Sequence, residues 1–185
     1  MKKITLFITA LVLSAISINV KAQEVQSVEG GVYIGPTIPL GGYHHLSNRV
    51  FVGFGGSVSY NLKTLPVDCG LFMQLDCADH GLDRADMTTL TQNNRTLTLG
   101  LVGNYNFNRC SKVNPFAGLG LGVGFNDVVG TVIYRSKSTS LVVMPRVGVE
   151  LWHHLRLTAY ATICRAGYNC AGLTVGVSFG GRPKK

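Results

Sequence analysis

The sequence is poor in charged residues, and beyond residue 22 it shows neither a sustained helical period nor a long apolar run. Charged residues make up 14% of its 185 residues, against about 25% in an ordinary soluble domain. A membrane-spanning helix needs about 20 consecutive apolar residues, and no such stretch follows residue 22. These absences argue against a soluble helical domain and against a bundle of membrane helices.

The first 22 residues have the three parts of a secretory signal peptide. Lys2 and Lys3 form a positive start, the stretch from Ile4 to Ile18 is uncharged and largely apolar, and Val20 to Ala22 offers a cleavage site before Gln23. About 15 apolar residues are too few for a membrane anchor. We therefore expect residues 1–22 to be removed and residues 23–185 to form one exported domain.

The positive charge of the sequence is scattered, so nucleic acid is a poor candidate for a partner. Removal of Lys2, Lys3 and Lys21 lowers the basic residues from 17 to 14, against 9 acidic residues. Three of the remaining basic residues lie in the tail, after Gly181. The body of the domain lacks the clustered basic patch that nucleic-acid binding requires.

The cysteines form no C-x-x-C or Cys/His spacing typical of zinc, and we expect neither a metal nor a cofactor. Export permits disulfides. Cys164 and Cys170 flank five residues between the last two strand patterns and could form a disulfide across the hairpin of these strands. The alternative is that both are small apolar side chains that only pack. The odd count leaves at least one thiol unpaired. The five are Cys69, Cys77, Cys110, Cys164 and Cys170.

Eight stretches of about ten residues alternate apolar residues with small or polar ones, a pattern typical of half-buried strands. In the clearest, Leu119, Leu121 and Val123 alternate with glycines. The eight predicted strands are Val28–Ile38, Val50–Asn61, Val67–Cys77, Thr96–Phe107, Phe116–Phe125, Leu141–Trp152, Leu155–Cys164 and Gly172–Gly180.

The length and the polar face of these strands favour a membrane barrel over a soluble sandwich or lipocalin. Ten residues at a tilt near 45° cross the hydrocarbon core, whereas ordinary strands average about five or six. The polar face consists mostly of Gly, Ser, Thr and Asn, which suits a narrow filled lumen. We expect an all-β fold: an eight-stranded antiparallel up-and-down transmembrane barrel with its apolar rows facing lipid.

The connections support this topology, because short links alternate with longer ones. The predicted long loops are Pro39–Arg49, Ala78–Arg95 and Asn126–Ser140, whereas Arg165–Asn169 is short and fits less well. Outer-membrane barrels have short periplasmic turns and long outer loops. Aromatic residues near the strand ends predict interface girdles, with ordinary packing as the alternative: Tyr60, Phe107, Phe125, Trp152 and Phe179.

The sequence resembles the outer-membrane β-barrel domain family common in Bacteroidetes, which is related in architecture to small OmpA/OmpX-type barrels. The segments that carry the likeness are Pro115 to Phe125, Met144 to Leu151, Leu155 to Tyr160 and Leu173 to Lys185. The resemblance implies a Gram-negative outer-membrane location. It also implies contact with lipid and lipopolysaccharide, insertion by the barrel assembly machinery, and a monomer.

The predicted inward rows place five charged residues near the periplasmic end, and we expect them to form an ion-pair network that plugs the lumen. A charge buried in a narrow barrel must be paired, and arginine offers two donors to a carboxylate. The alternative is a gate for a small pore. The five are Glu29, Asp68, Arg146, Glu150 and Arg156.

Other chemistry is weakly indicated. Four aspartates near the second predicted outer loop lack EF-hand spacing, and we interpret them as a solvated cluster: Asp76, Asp79, Asp83 and Asp86. His44, His45 and Ser47, like His153 and His154, lack the order of a hydrolase triad or nucleophile elbow. We therefore expect a non-enzymatic protein that supports the envelope or binds partners through its outer loops. The alternatives are a narrow channel and a barrel enzyme that modifies lipid A.

Overall fold

The computed structural model describes residues 27–40, 51–63, 65–83, 89–130, 135–164 and 169–181. For residues 78–83, 89–94, 128–130 and 135–136 it describes the backbone alone. The predicted signal peptide lies outside these ranges, and its cleavage stays a prediction. Among the described residues, no helix is long and apolar enough to cross a membrane.

Eight antiparallel strands follow one another around a closed barrel, and β8 pairs with β1 to complete it. Closure matters in lipid because an open sheet edge would leave its N–H and C=O groups without partners. The predicted fold class is confirmed. The strands are β1 Val28–Leu40, β2 Phe51–Asn61, β3 Val67–Asp83, β4 Thr89–Asn106, β5 Val113–Gly130, β6 Arg135–Leu151, β7 Leu155–Cys164 and β8 Asn169–Gly180.

The apolar rows point outward and the polar rows inward, which is the reverse of a soluble protein. Leu141, Leu101 and Leu71 are 71%, 65% and 64% exposed, whereas Asp68 and Thr98 are completely buried. The alternation places successive side chains on opposite faces of each strand. A lipid-facing exterior and a filled polar lumen follow from this arrangement.

Six strands are longer than the sequence pattern predicted, and the large extensions of β3, β4, β5 and β6 make two predicted loops largely strand. The β3–β4 ladder continues to the pair Asp83↔Thr89, and the β5–β6 ladder continues to Val129↔Arg135. The predicted loops Ala78–Arg95 and Asn126–Ser140 are therefore wrong over most of their length. Beyond the hydrocarbon a strand no longer needs an apolar outer face, and the alternation that marked the strands is lost there.

We call the two ends of the barrel the turn end and the hairpin end. The turn end carries the short links and the close of β8, and the hairpin end carries the long β3–β4 and β5–β6 hairpins. The tightest link is the three-residue turn 152–154, in which Trp152 and His153 have positive φ (52° and 61°) and His154 N–H donates to Leu151 O at 3.1 Å.

Candidate functional site

At the turn end of the lumen, one arginine lies between two carboxylates. Nη2 of Arg156 is 3.3 Å from Oε1 of Glu29 and 3.4 Å from Oε2 of Glu150. The strands position this group because Glu29 opens β1, while Glu150 and Arg156 face each other across the β6–β7 ladder. The guanidinium also lies 4.6 Å from the centre of the Phe116 ring, which supports it by a cation–π contact.

The other two predicted residues are linked through amides rather than by a direct ion pair. Asp68 accepts hydrogen bonds from the side-chain amides of Asn104 and Asn106, the latter at 2.8 Å. Nε of Arg146 donates to Oδ1 of Asn104 at 2.7 Å. Asn104 therefore connects Arg146 to Asp68. All five predicted residues face the lumen, but the prediction did not include these asparagines in the network.

Arg109 closes the turn end, and the sequence analysis did not identify it because it lies in a link. Its Nη1 donates to the backbone oxygens of Leu62 and Leu65, both at 3.1 Å. Desolvation lowers the pKa of Arg109 below its usual range. The space left beside it, next to Glu29 and Glu150, is about 10 Å³, room for one water at most.

A second polar group surrounds Asp76 towards the hairpin end. Its Oδ1 accepts hydrogen bonds from Tyr160 Oη at 2.6 Å and Gln74 Nε2 at 2.8 Å, and its Oδ2 accepts one from Thr162 Oγ1 at 3.0 Å. The prediction that placed Asp76 in a solvated outer cluster is therefore wrong. Asp76 is buried in the lumen, and the side chains of the other three aspartates lie outside the description.

An apolar layer separates the two polar groups. It consists of Phe72, Val102, Met144 and Tyr160, which are all buried and form one cluster. The glycine row of β5 makes room for it: a Cβ on Gly120 would lie 3.1 Å from Phe72 and 3.3 Å from Met144. Tyr160 packs over Gly172 of β8, because a Cβ on Gly172 would lie 2.6 Å from the Tyr160 ring.

Cys164 and Cys170 are free thiols in the structure, and both are buried in the wall of the lumen at the hairpin end. Cys170 pairs with Thr162 across the β7–β8 ladder. Cys164 is two residues further along β7 and also faces inward. The disulfide between them stays a prediction that the mass of alkylated protein would test.

Among the residues that it describes, the structure does not bring the remaining candidate residues, the histidines and Ser47, together into one site. His44, His45 and Ser47 lie outside the described residues. His153 and His154 form part of the turn after β6, where Nδ1 of His154 is 3.2 Å from Ser178 O. In the described part of the chain, no group of three or more His, Cys, Asp or Glu residues could hold a metal ion.

The comparison with protein families identifies the class. Residues 8–180 match the outer membrane protein β-barrel domain, and the chain belongs to this family. The turn end of such a barrel faces the periplasm and the hairpin end faces outward. The family prediction is confirmed, whereas a Bacteroidetes origin stays a prediction. No curated protein matches the sequence.

Solved structures show the same fold at low identity. The attachment invasion locus protein Ail of Yersinia pestis matches with a TM-score of 0.53 and 8% identity, over 84% of this chain and 100% of that one. The N-terminal barrel domain of Pseudomonas aeruginosa OprF gives 0.51 and 15%, over 84% and 100%. Neisserial surface protein A gives 0.52 and 15%, over 84% and 98%.

Proposed function

We propose that this protein is a non-enzymatic outer-membrane barrel that presents a four-stranded sheet above the membrane as a binding surface. The observation that carries the proposal is the unequal height of the strands. β3, β4, β5 and β6 have 17, 18, 18 and 17 residues. β2 and β7 beside them have 11 and 10.

The last cross-strand pairs show where β3 and β6 extend beyond the shorter strands β2 and β7. Within the described residues, β2 pairs with β3 as far as Gly53↔Asp76, and β6 pairs with β7 as far as Val142↔Cys164. The β4–β5 ladder continues to Gln92↔Gly130. We call the part of β3–β6 beyond these points the raised sheet. A structural barrel that only spans the membrane has no need of it.

Where its side chains are described, the outward face of the raised sheet carries both signs of charge. Arg95, Asp127 and Lys137 are neighbours in register across β4, β5 and β6, so that positive, negative and positive charges follow one another. On the inner face, Asn126 accepts from Thr96 at 2.7 Å and donates to two serines of β6. Such a polar, hydrogen-bonded surface suits recognition of another macromolecule at the cell surface.

The closed lumen supports a binding role over a channel. Ions crossing the barrel would have to pass the apolar layer of Phe72, Val102, Met144 and Tyr160 and then the Arg109 closure. A charge in a dry apolar constriction loses its hydration without a replacement. The histidines in the described turn lie at the periplasmic end, away from the leaflet that contains lipid A.

Shortened hairpins test the proposal. Residues 80–92 and residues 128–136 are each replaced by Asn-Gly, which joins the cross-strand pairs Asp79↔Asn93 and Asp127↔Lys137 by two-residue type I′ turns. The matched control places Asn-Gly at Trp152 and His153, at the opposite end. We measure adhesion of cells displaying each protein to host-cell and matrix-coated surfaces, and detergent sensitivity of the same cells.

We expect the shortened protein to fold, as judged by heat-modifiable gel migration, and to lose the adhesion that wild type and the control retain. Equal adhesion of all three proteins would overturn the binding role. Increased detergent sensitivity with unchanged adhesion would assign the raised sheet to envelope integrity instead.

A further inference from the structure

Three glycines lie on the lipid-facing rows of the described barrel. They are Gly30 on β1, Gly56 on β2 and Gly103 on β4. A Cβ on Gly30 would meet nothing within 4 Å, and one on Gly103 would meet only the backbone oxygen of Asp68, at 3.8 Å. None has a left-handed φ. Neither packing within the chain nor backbone conformation requires glycine at Gly30 or Gly103, and both leave open space on the outer wall.

These glycines create two grooves in the apolar exterior. Gly30 is level with Phe179 and Val58, and the groove there has a volume of about 810 Å³. The groove at Gly103, beside Leu119, has a volume of about 450 Å³. Both volumes are in the range of small-molecule sites.

A ridge separates the grooves and shows how one molecule could occupy both. Leu71 of β3 and Leu101 of β4 are partners in register, and both line each groove. Two chains that lie on either side of this ridge would bury the exposed flanks of both leucines.

Between the ridge and the turn end of the barrel lie side chains that suit a phosphate group. Tyr60 and Tyr105 are outward-facing partners of Cys69 and Val67 of β3, and they lie on its two sides. Lys63, in the link between β2 and β3, is exposed. Tyrosine favours the headgroup level of a membrane. The described acidic residues at this end, Glu29, Asp68 and Glu150, are buried in the lumen, so none opposes an anion at Lys63.

We propose that this face binds one anionic two-chain phospholipid of the periplasmic leaflet. Its acyl chains lie in the two grooves on either side of the Leu71–Leu101 ridge, and its phosphate lies near Lys63, between Tyr60 and Tyr105. The periplasmic position follows from the turn end, where the grooves begin. The inference rests on the membrane orientation and is independent of the raised sheet.

The test measures phospholipid bound to the full mature barrel by native mass spectrometry. Protein extracted from outer membranes is delipidated and titrated with phosphatidylglycerol in micelles, and phosphatidylethanolamine and lipopolysaccharide serve as competing probes. The variants are Gly30→Leu, Gly103→Leu and Lys63→Gln. The control is Ala161→Leu, which adds one carbon less than the glycine variants to a small outward residue of β7, away from the grooves.

We expect one phosphatidylglycerol per barrel for wild type and the control, with affinity about tenfold weaker, or about 1.4 kcal/mol, for each glycine variant. Lys63→Gln should remove the preference for phosphatidylglycerol over phosphatidylethanolamine. Equal binding by the glycine variants and the control, or preferential retention of lipopolysaccharide, would overturn the proposal. So would a dimer that the glycine variants dissociate, because a second copy would then occupy the grooves.

Discussion

The two polar groups inside the barrel bury carboxylates in different ways. At the turn end, Glu29 and Glu150 share the guanidinium of Arg156, so that charge opposes charge. Towards the hairpin end, Asp76 is held by neutral donors from Gln74, Tyr160 and Thr162. The comparison indicates that the first group depends on a single residue, whereas the second divides the cost of burial among several hydrogen bonds.

The largest expected effect comes from removing the shared cation. Arg156→Met removes the ion-pair partner of two buried carboxylates, and we expect the free energy of unfolding to fall by about 3–5 kcal/mol. Urea titration of the folded barrel in micelles, followed by heat-modifiable gel migration, measures the change. Arg95→Met, at an exposed position, serves as the control and should change stability by less than about 0.5 kcal/mol.

A triple variant decides whether the loss arises from unpaired charge. Arg156→Met combined with Glu29→Gln and Glu150→Gln removes the two carboxylates together with the cation. Most of the stability should then return, since replacing a complete ion pair is often neutral. A triple variant as unstable as Arg156→Met would instead assign the effect to the lost contact with the Phe116 ring.

Removing the carboxylate of the second group should have a smaller effect. Asp76→Ala leaves the donors of Gln74, Tyr160 and Thr162 to find other partners, and we expect a loss of about 1–3 kcal/mol in the same urea titration. Thr98→Val is the matched control, because the hydroxyl of Thr98 is buried without a hydrogen-bond partner among the described residues. A loss as large as that of Arg156→Met would contradict the comparison.

The smallest effect should come from removing one donor of that group. Tyr160→Phe keeps the ring in the apolar layer and removes the hydroxyl, which donates to Asp76 and accepts from Gln74; Gln74 keeps its own hydrogen bond to Asp76. We expect a loss of about 0.5–1.5 kcal/mol, the usual contribution of one hydrogen bond. If Tyr160→Phe cost as much as Asp76→Ala, the neutral donors would not be sharing the carboxylate.

The sequence predicted the faces of the strands more reliably than their ends. In β5, the alternation of Leu119 and Leu121 with glycines revealed the two faces of the strand, because one face meets lipid and the other meets a narrow lumen. Above the hydrocarbon that contrast disappears, and Ala78–Asp83 and Thr89–Asn94 carried no sign that the β3–β4 ladder continues. A local pattern reports the surroundings of a strand, whereas its length is set by cross-strand pairing.

The candidate site shows the same limit. Glu29, Glu150 and Arg156 were found because charges on an inward row require partners. Asn104, which connects Arg146 to Asp68, is one of many polar inward residues, and nothing local distinguishes it. Asp76 was misplaced because it lies one residue before the end of the predicted third strand, near three more aspartates. Its partners Tyr160 and Thr162 come from the distant β7, and only the closure of the barrel brings them together.

The four long strands β3–β6 are consecutive, so among the described residues the barrel extends further above the membrane on one side of its axis than on the other. On the other side, the described residues of β1, β2, β7 and β8 end closer to the membrane. Rotation about the membrane normal therefore changes what this protein presents to its neighbours. In a crowded bilayer, contact between two proteins then depends on the rotational orientation of each copy as well as on the distance between them.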